Sequence, residues 1–288
     1  MMGFGNNNMN RKNNSKKHHY IPQYYLKGFS TSGDSSKVWA FDRRSKKAFC
    51  ASTLNIGHEN YFYASKDIHG EIDTDSVETF LANSVEGPAN PIIDKVRNIQ
   101  PINKQEKSVL AKYMAYMLSR VPRYRERIKE KIPQFLEELK ARTEIEIKKS
   151  NISQDSQNRI LQTIERELSA ASPNLPDGLK HPILHEDIFE ILNDMNWLLL
   201  SRENSPYFLT CDNPFLFTER RGLLDSEAEI IFPISKSVAL LATRNHNKDI
   251  DYMPVEESFV QQVNKYVALN ATRYVYYCED VVWVHNLL

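Results

Sequence analysis

The sequence predicts an α+β fold, with an N-terminal hairpin, a central helical region and a C-terminal, mostly antiparallel sheet. Three observations predict it. Short apolar runs bounded by turn residues occur before residue 65 and again after residue 196. The stretch between residues 76 and 170 instead repeats its apolar side chains at spacings of three and four. Strands and helices therefore come in blocks rather than alternating, which argues against a doubly wound α/β fold. The 288-residue chain is 41% apolar and 10% aromatic, enough for a sizeable core.

Residues 1–17 are Asn-rich and polar and are expected to be a disordered tail. Residues 18–288 are expected to form a single α+β domain with a protruding helical hairpin at about 123–171. Pro22 suits the first turn of a short helix that places Tyr25, Leu26 and Phe29 on one side. Lys37–Asp42 and Ala48–Ala51 flank a polar turn and read as a hairpin, and Glu59–Tyr63 as a further short strand. Residues 66–75 read as a loop.

Asp75 or Ser76 caps a helix carrying Val77, Phe80, Leu81 and Val85, which Pro88 and Pro91 are expected to break or kink. Ile92, Ile93, Val96 and Ile99 resume helical spacing. Asn103 with Glu106 has capping-box spacing and opens the clearest helix, whose stripe runs from Val109 to Val121. Pro122 starts the next helix, with a kink expected at Pro133, and Ile152–Leu168 makes another. Ser172–Pro182 is a Pro-rich loop. A helix around Ile188–Met195 runs into strands at Trp197–Leu200, Tyr207–Thr210, Phe215–Thr218, Ile230–Ile234 and Val238–Thr243. Pro254–Ala271 reads as a helix, Tyr274–Cys278 as a strand, and Val281–Val284 as a last strand.

Lys+Arg and Asp+Glu both number 37, so net charge makes no case for nucleic acid or membrane, although a local patch is compatible with it. The three cysteines lack metal-type spacing and suggest no disulfide framework, so a cytoplasmic location is expected. The leader has no apolar segment of the secretory kind, and no apolar run is long enough for a membrane span.

The densest chemistry lies in His18–Phe29. His19 has the titration range for proton transfer, metal ligation or phosphate contact; packing or capping is the competing role. Glu78 and Glu86, about 80° apart on a regular helix, can join His19 and Asp212 in a site for Mg²⁺ or Mn²⁺; pairing with Arg120 or Arg123 is the alternative. Asp212-Asn213-Pro214 ends a strand, either as a plain turn or as a carboxylate aimed into a cleft. Arg120 and Arg123 can hold phosphates or lie on a solvated face. Cys211 has no neighbour in sequence that would activate it as a nucleophile. The resulting set is His19, Glu78 and Asp212 as catalytic residues, Glu78, Glu86 and Asp212 as metal ligands, and His18, Gln23, Arg120, Arg123 and Asn213 as substrate contacts.

The run His18-His19-Tyr20-Ile21-Pro22-Gln23-Tyr24-Tyr25-Leu26 with Phe29 resembles the opening motif of the bacterial domain-of-unknown-function family 4238. The resemblance extends over about 17–280. It includes Glu78-x-x-Leu81 with Glu86, Ser119–Arg123, Thr210–Pro214, Phe232–Ser235 and Asn264. The family more usually has Ser at position 211 and Leu at position 234. The resemblance implies that these positions belong together and brings no established activity. The chemistry expected of them is metal-dependent phosphodiester hydrolysis, a nuclease in a defence or mobile-element setting with nucleic acid as partner. The alternative is a non-catalytic interaction or ligand-sensing module.

Overall fold

The computed structural model describes residues 17–66, 72–149, 153–171, 183–217, 225–280 and 284. The expected tail up to residue 16, the loop Ser172–Pro182 and residues 281–283 of the expected last strand lie outside the described residues. The architecture is α+β, with sheets that are mostly antiparallel.

β1 (Lys17–His19) pairs antiparallel with β4 (His58–Asn60). Between them lie α1 (Gln23–Leu26), a 3₁₀ turn over Lys27–Phe29, and the predicted hairpin of β2 (Lys37–Asp42) and β3 (Lys47–Ser52). β5 (Ser65–Lys66) and β6 (Ile72–Asp73) form a small ladder where only a loop was expected. The helical block follows: α2 (Ser76–Leu81), a π turn (Ala82–Glu86), α3 (Gly87–Arg97), α4 (Lys104–Arg120), α5 (Pro122–Lys149), α6 (Gln154–Ala171) and α7 (Ile183–Asp194). Then come β7 (Asn196–Ser201), β8 (Thr210–Cys211), β9 (Leu216–Phe217), β10 (Ile230–Pro233), β11 (Val238–Thr243) and β12 (Ile250–Pro254). α8 (Glu257–Asn270) and β13 (Tyr274–Tyr277) complete the order.

One sheet has the order β12-β7-β11-β10-β9, parallel only between β12 and β7; the other has the order β3-β2-β13-β8. β7 reads as an unbroken apolar run because both of its faces are covered. Trp197 and Leu199 join the core shared with α4, while Leu198 and Leu200 join a second core with Val260, Val263 and Val267 of α8. The predicted capping box is present: Glu106 N–H donates to Asn103 Oδ1 at 2.9 Å, and Asn103 N–H to Glu106 Oε2 at 2.9 Å. α4 is buried over more than its predicted stripe, since Ala111, Ala115 and Tyr116 are also inside the core.

Several local expectations are corrected. Pro88 and Pro91 do not break the helix; they sit in the opening turns of α3, directly after the π turn. The disruption of the α ladder falls in that π turn, and Pro88 is at the start of the α register, where a missing N–H is tolerated. α5 runs through position 133 without interruption. Ile99 lies beyond the end of α3, with a φ of 56° and 43% exposure. The strand expected over Tyr207–Thr210 is reduced to Thr210–Cys211. Pro254 closes β12, a strand absent from the sequence reading, and α8 starts only at Glu257.

α1 is fixed to the distant sheet. Tyr25, fully buried, donates its hydroxyl to the Pro233 carbonyl at 2.6 Å, lies 2.7 Å from Thr210 Oγ1, and stacks on Phe232. The next turn closes the joint, because Lys236 N–H donates to the Gly28 carbonyl at 2.8 Å. A Cβ on Gly28 would lie 2.7 Å from the Ile234 carbonyl oxygen and 2.7 Å from Arg97 Nη2, closer than real Cβ contacts allow. Glycine is required here for close approach.

Candidate functional site

β1 sends its two histidines in opposite directions, as a strand must. His18 points inward and is fully buried. Its Nδ1 accepts the Tyr63 backbone N–H at 2.8 Å, and its ring stacks on the Tyr63 ring at 5.5 Å. The Tyr63 hydroxyl in turn donates to the His19 carbonyl at 3.0 Å. His18 and Tyr63 thus form the frame that holds His19, and His18 is not among the residues lining the cavity described below.

His19 lines a cavity of about 410 Å³ together with Gln23, Tyr63, Glu78, Glu86 and Arg120. Pro22, Tyr24, Lys27, Leu81 and Ala82 complete its wall. Four stretches of the chain meet here: β1 with α1 and the turn after it, the segment at Tyr63, α2 with its π turn, and the C-terminal end of α4. The His19 backbone N–H lies 3.4 Å from Glu78 Oε1, a long contact. The His19 ring faces the His58 ring across the β1–β4 ladder at 5.3 Å between centroids. Burial, then the neighbouring His58, lowers the His19 pKa to about 4, so the imidazole is neutral near pH 7. Its Nε2 is buried and has no hydrogen-bond partner.

Arg120 ends α4 with its side chain 1% exposed. Its Nη1 donates to Glu86 Oε1 at 2.7 Å, while Nε and Nη2 are buried without partners. Burial is the largest influence and opposes the charge, but the Glu86 carboxylate together with the Tyr63 and Tyr113 hydroxyls holds the guanidinium above its ordinary pKa. Tyr113, two helical turns back on α4, also leaves its hydroxyl buried without a partner. A guanidinium taken out of water with two of its three nitrogens unpaired is a costly arrangement, and therefore an informative one.

The π turn explains how both glutamates reach the same cavity. Across eight residues of uninterrupted α-helix they would diverge by about 80°. One extra residue in the ladder reduces the divergence to about 20°. No side-chain pattern announces a single π turn, so this convergence is hidden at the level of sequence.

The remaining expected site residues lie elsewhere. The Asp212 carboxylate accepts backbone N–H groups from Thr272 at 2.7 Å, Arg273 at 2.7 Å and Tyr274 at 3.0 Å. It does not line the cavity. Burial still pushes its pKa above the usual carboxylate value, despite those bonds. Asn213 is bound into the same junction, with its carbonyl accepting the Asn270 amide at 2.7 Å. Arg123 donates to Asn270 Oδ1 at 3.0 Å and borders a different groove, beside α8. Cys211 is buried with its thiol pKa pushed up by burial, and it donates to the Asn213 carbonyl at 3.1 Å.

Glu78 and Glu86 thus share a cavity without the Asp212 they were expected to meet. Among the described residues no three His, Cys, Asp or Glu side chains are grouped as a metal ion would require. Sequence reasoning missed Tyr63, Tyr24 and Lys27. Tyr63 reads from the sequence only as part of a short strand or extended aromatic segment, and Lys27 lies one helical turn after Gln23, a spacing that could have exposed it.

No helix among the described residues is long and apolar enough to cross a membrane. No curated protein and no solved structure matches the chain. The segments that carry the cavity and the Asp212 junction do fall within one match, over residues 17–280, to a family described as protein of unknown function. The chain belongs to that family, DUF4238.

Proposed function

We propose that the His19 cavity is the active site of a phosphodiester-hydrolysing enzyme. The observation that carries this reading is the meeting of four groups in one cavity: a neutral imidazole, a buried and under-bonded guanidinium, and two carboxylates. In this reading a water attacks phosphorus as His19 Nε2 takes its proton. The bond to the leaving oxygen breaks, and that oxygen is protonated from solvent. Arg120 takes up the charge on the non-bridging oxygens, for which a planar guanidinium is well shaped. The charge of a bound phosphate raises the His19 pKa from about 4 toward the range where a general base is effective.

A version assisted by Mg²⁺ or Mn²⁺ would draw on Glu78 and Glu86, without the Asp212 carboxylate. Three free cysteines, one of them exposed, favour a reducing cytoplasm as the setting. The test is turnover of bis(4-nitrophenyl) phosphate by the purified chain, with Mg²⁺, with Mn²⁺ and with EDTA, against His19→Ala. Turnover lost in the variant supports the reading. No turnover under any condition rejects it and leaves the ligand-sensing alternative for the same cavity.

A further inference from the structure

We infer that the substrate of this cavity is a single nucleotide unit, a small nucleoside phosphodiester such as a cyclic nucleotide, rather than a nucleic-acid strand. The inference rests on the hydrolytic reading above for its chemistry, and on the part of the cavity wall formed by Pro22, Gln23, Tyr24 and Lys27 for its identity.

That part of the wall is carried by α1. Gln23 and Lys27 are four residues apart and so project from one side of it. Both line the cavity, and among the described residues neither the Gln23 amide nor the Lys27 ammonium has a partner. Pro22 and Tyr24 supply flat apolar surface beside them. Tyr24 is held in place at both ends: its hydroxyl donates to Asp94, and the Arg97 guanidinium lies 5.2 Å from its ring centroid. The cavity wall therefore carries two chemically distinct sets of groups. One offers Arg120 and His19 to an anion. The other offers a rigid ring for stacking and an amide, which both donates and accepts, for the edge of a base. Lys27 can reach the anion from the α1 side as a second positive charge.

Size and charge select the unit over the strand. A volume of about 410 Å³ is at the small end of ligand cavities and admits one base with its sugar and phosphate. Binding a strand draws most of its strength from many backbone phosphates neutralised along a basic groove. The chain has no net charge, and the cavity offers two cations, one of them already paired with Glu86.

The experiment is calorimetric titration of the full chain with the four 3′,5′-cyclic nucleoside monophosphates and with a thymidine 20-mer. It is run on the wild type, Gln23→Ala and Gln23→Glu, with thermal melting to confirm folding. Competition by the same nucleotides against bis(4-nitrophenyl) phosphate is measured on the wild type. The expected result is that at least one cyclic nucleotide binds and competes. Gln23→Ala should weaken that binding at least tenfold, and Gln23→Glu should change which base is preferred. A 20-mer that binds more tightly than every nucleotide overturns the inference, as does nucleotide binding indifferent to both variants. Turnover of the chromogenic ester with no nucleotide binding also rejects the inference and leaves the hydrolytic site standing. Gln23-dependent nucleotide binding with no turnover of any ester does the reverse.

Discussion

The His19 cavity and the Asp212 junction both bring polar and charged motif residues together below the surface, yet those side chains end in different states. At the junction, both Asp212 oxygens accept backbone N–H groups. Asn264 bridges the Leu209 N–H and the Tyr207 carbonyl, and Asn270 bridges the carbonyls of Asn213 and Phe215. In the cavity, His19 Nε2 and two Arg120 nitrogens have no partner. The junction uses the Asp212 carboxylate and the Asn264 and Asn270 amides to join β8, α8 and β13, although the Thr272 hydroxyl there is also buried without a partner. A buried group without a partner costs stability unless something outside the chain completes it. Motif membership alone does not separate these two regions, whereas the bonding of their charged motif side chains does.

The sharpest way to break the comparison is to exchange the expected phenotypes. His19→Ala should lower ester turnover about 10³-fold, within the range for loss of a general base, and leave the melting temperature nearly unchanged. Asp212→Ala should do the opposite. It strands three buried N–H groups and should cost about 3–5 kcal/mol in chemical denaturation, while turnover per folded molecule is kept. If Asp212→Ala abolishes turnover without affecting stability, the division between the two regions is wrong.

A smaller effect tests the π turn. Inserting one alanine after Asn83 should rotate Glu86 by about 100° relative to Glu78. The Arg120 pair would then be lost, with a cost on the order of 2 kcal/mol and loss of turnover, read by denaturation and assay. Replacing Asn83 by Ala, which keeps the residue count, should leave both intact.

The smallest effect is a pH dependence. The His19 pKa is about 4 in the folded chain and near 6.5 when unfolded, so between those values the unfolded chain binds the extra proton. Stability is therefore full above about pH 6.5 and falls as pH drops toward 4, by on the order of 2 kcal/mol after allowance for partial exposure. The His58 pKa is lowered in the same direction, so its contribution adds to the slope. His19→Ala should flatten the stability curve in this window, measured by denaturation at several pH values. An unchanged slope would mean that His19 is not the buried neutral base described here.

Much of the scaffold was legible because its signals are local. Asn103 and Glu106 announce the start of α4, Val238–Thr243 is apolar enough to mark a strand buried on both faces, and the β2–β3 hairpin follows from its polar turn. β12 was hidden because Ile250–Pro254 is short, mixed in character and ends in proline, and its parallel pairing with β7 depends on a distant partner. Within the site, residue types were legible and partnerships were not. Nothing local distinguishes Arg120, fully enclosed at the end of α4, from Arg123, three residues later and bound to Asn270. The carboxylate of Asp212 looked available because its three donors lie some sixty positions downstream, in backbone that no side-chain pattern reports.

Gly28 has a bearing on how genetic data for this protein should be read. It does not line the cavity, but it sets how closely the helix bearing Gln23 approaches the strand that ends at Pro233. Any side chain there would lever that helix outward and shift Gln23 and Lys27 along with it. A screen scored on function alone would rank position 28 beside the residues that meet the ligand, although its whole contribution is the absence of an atom.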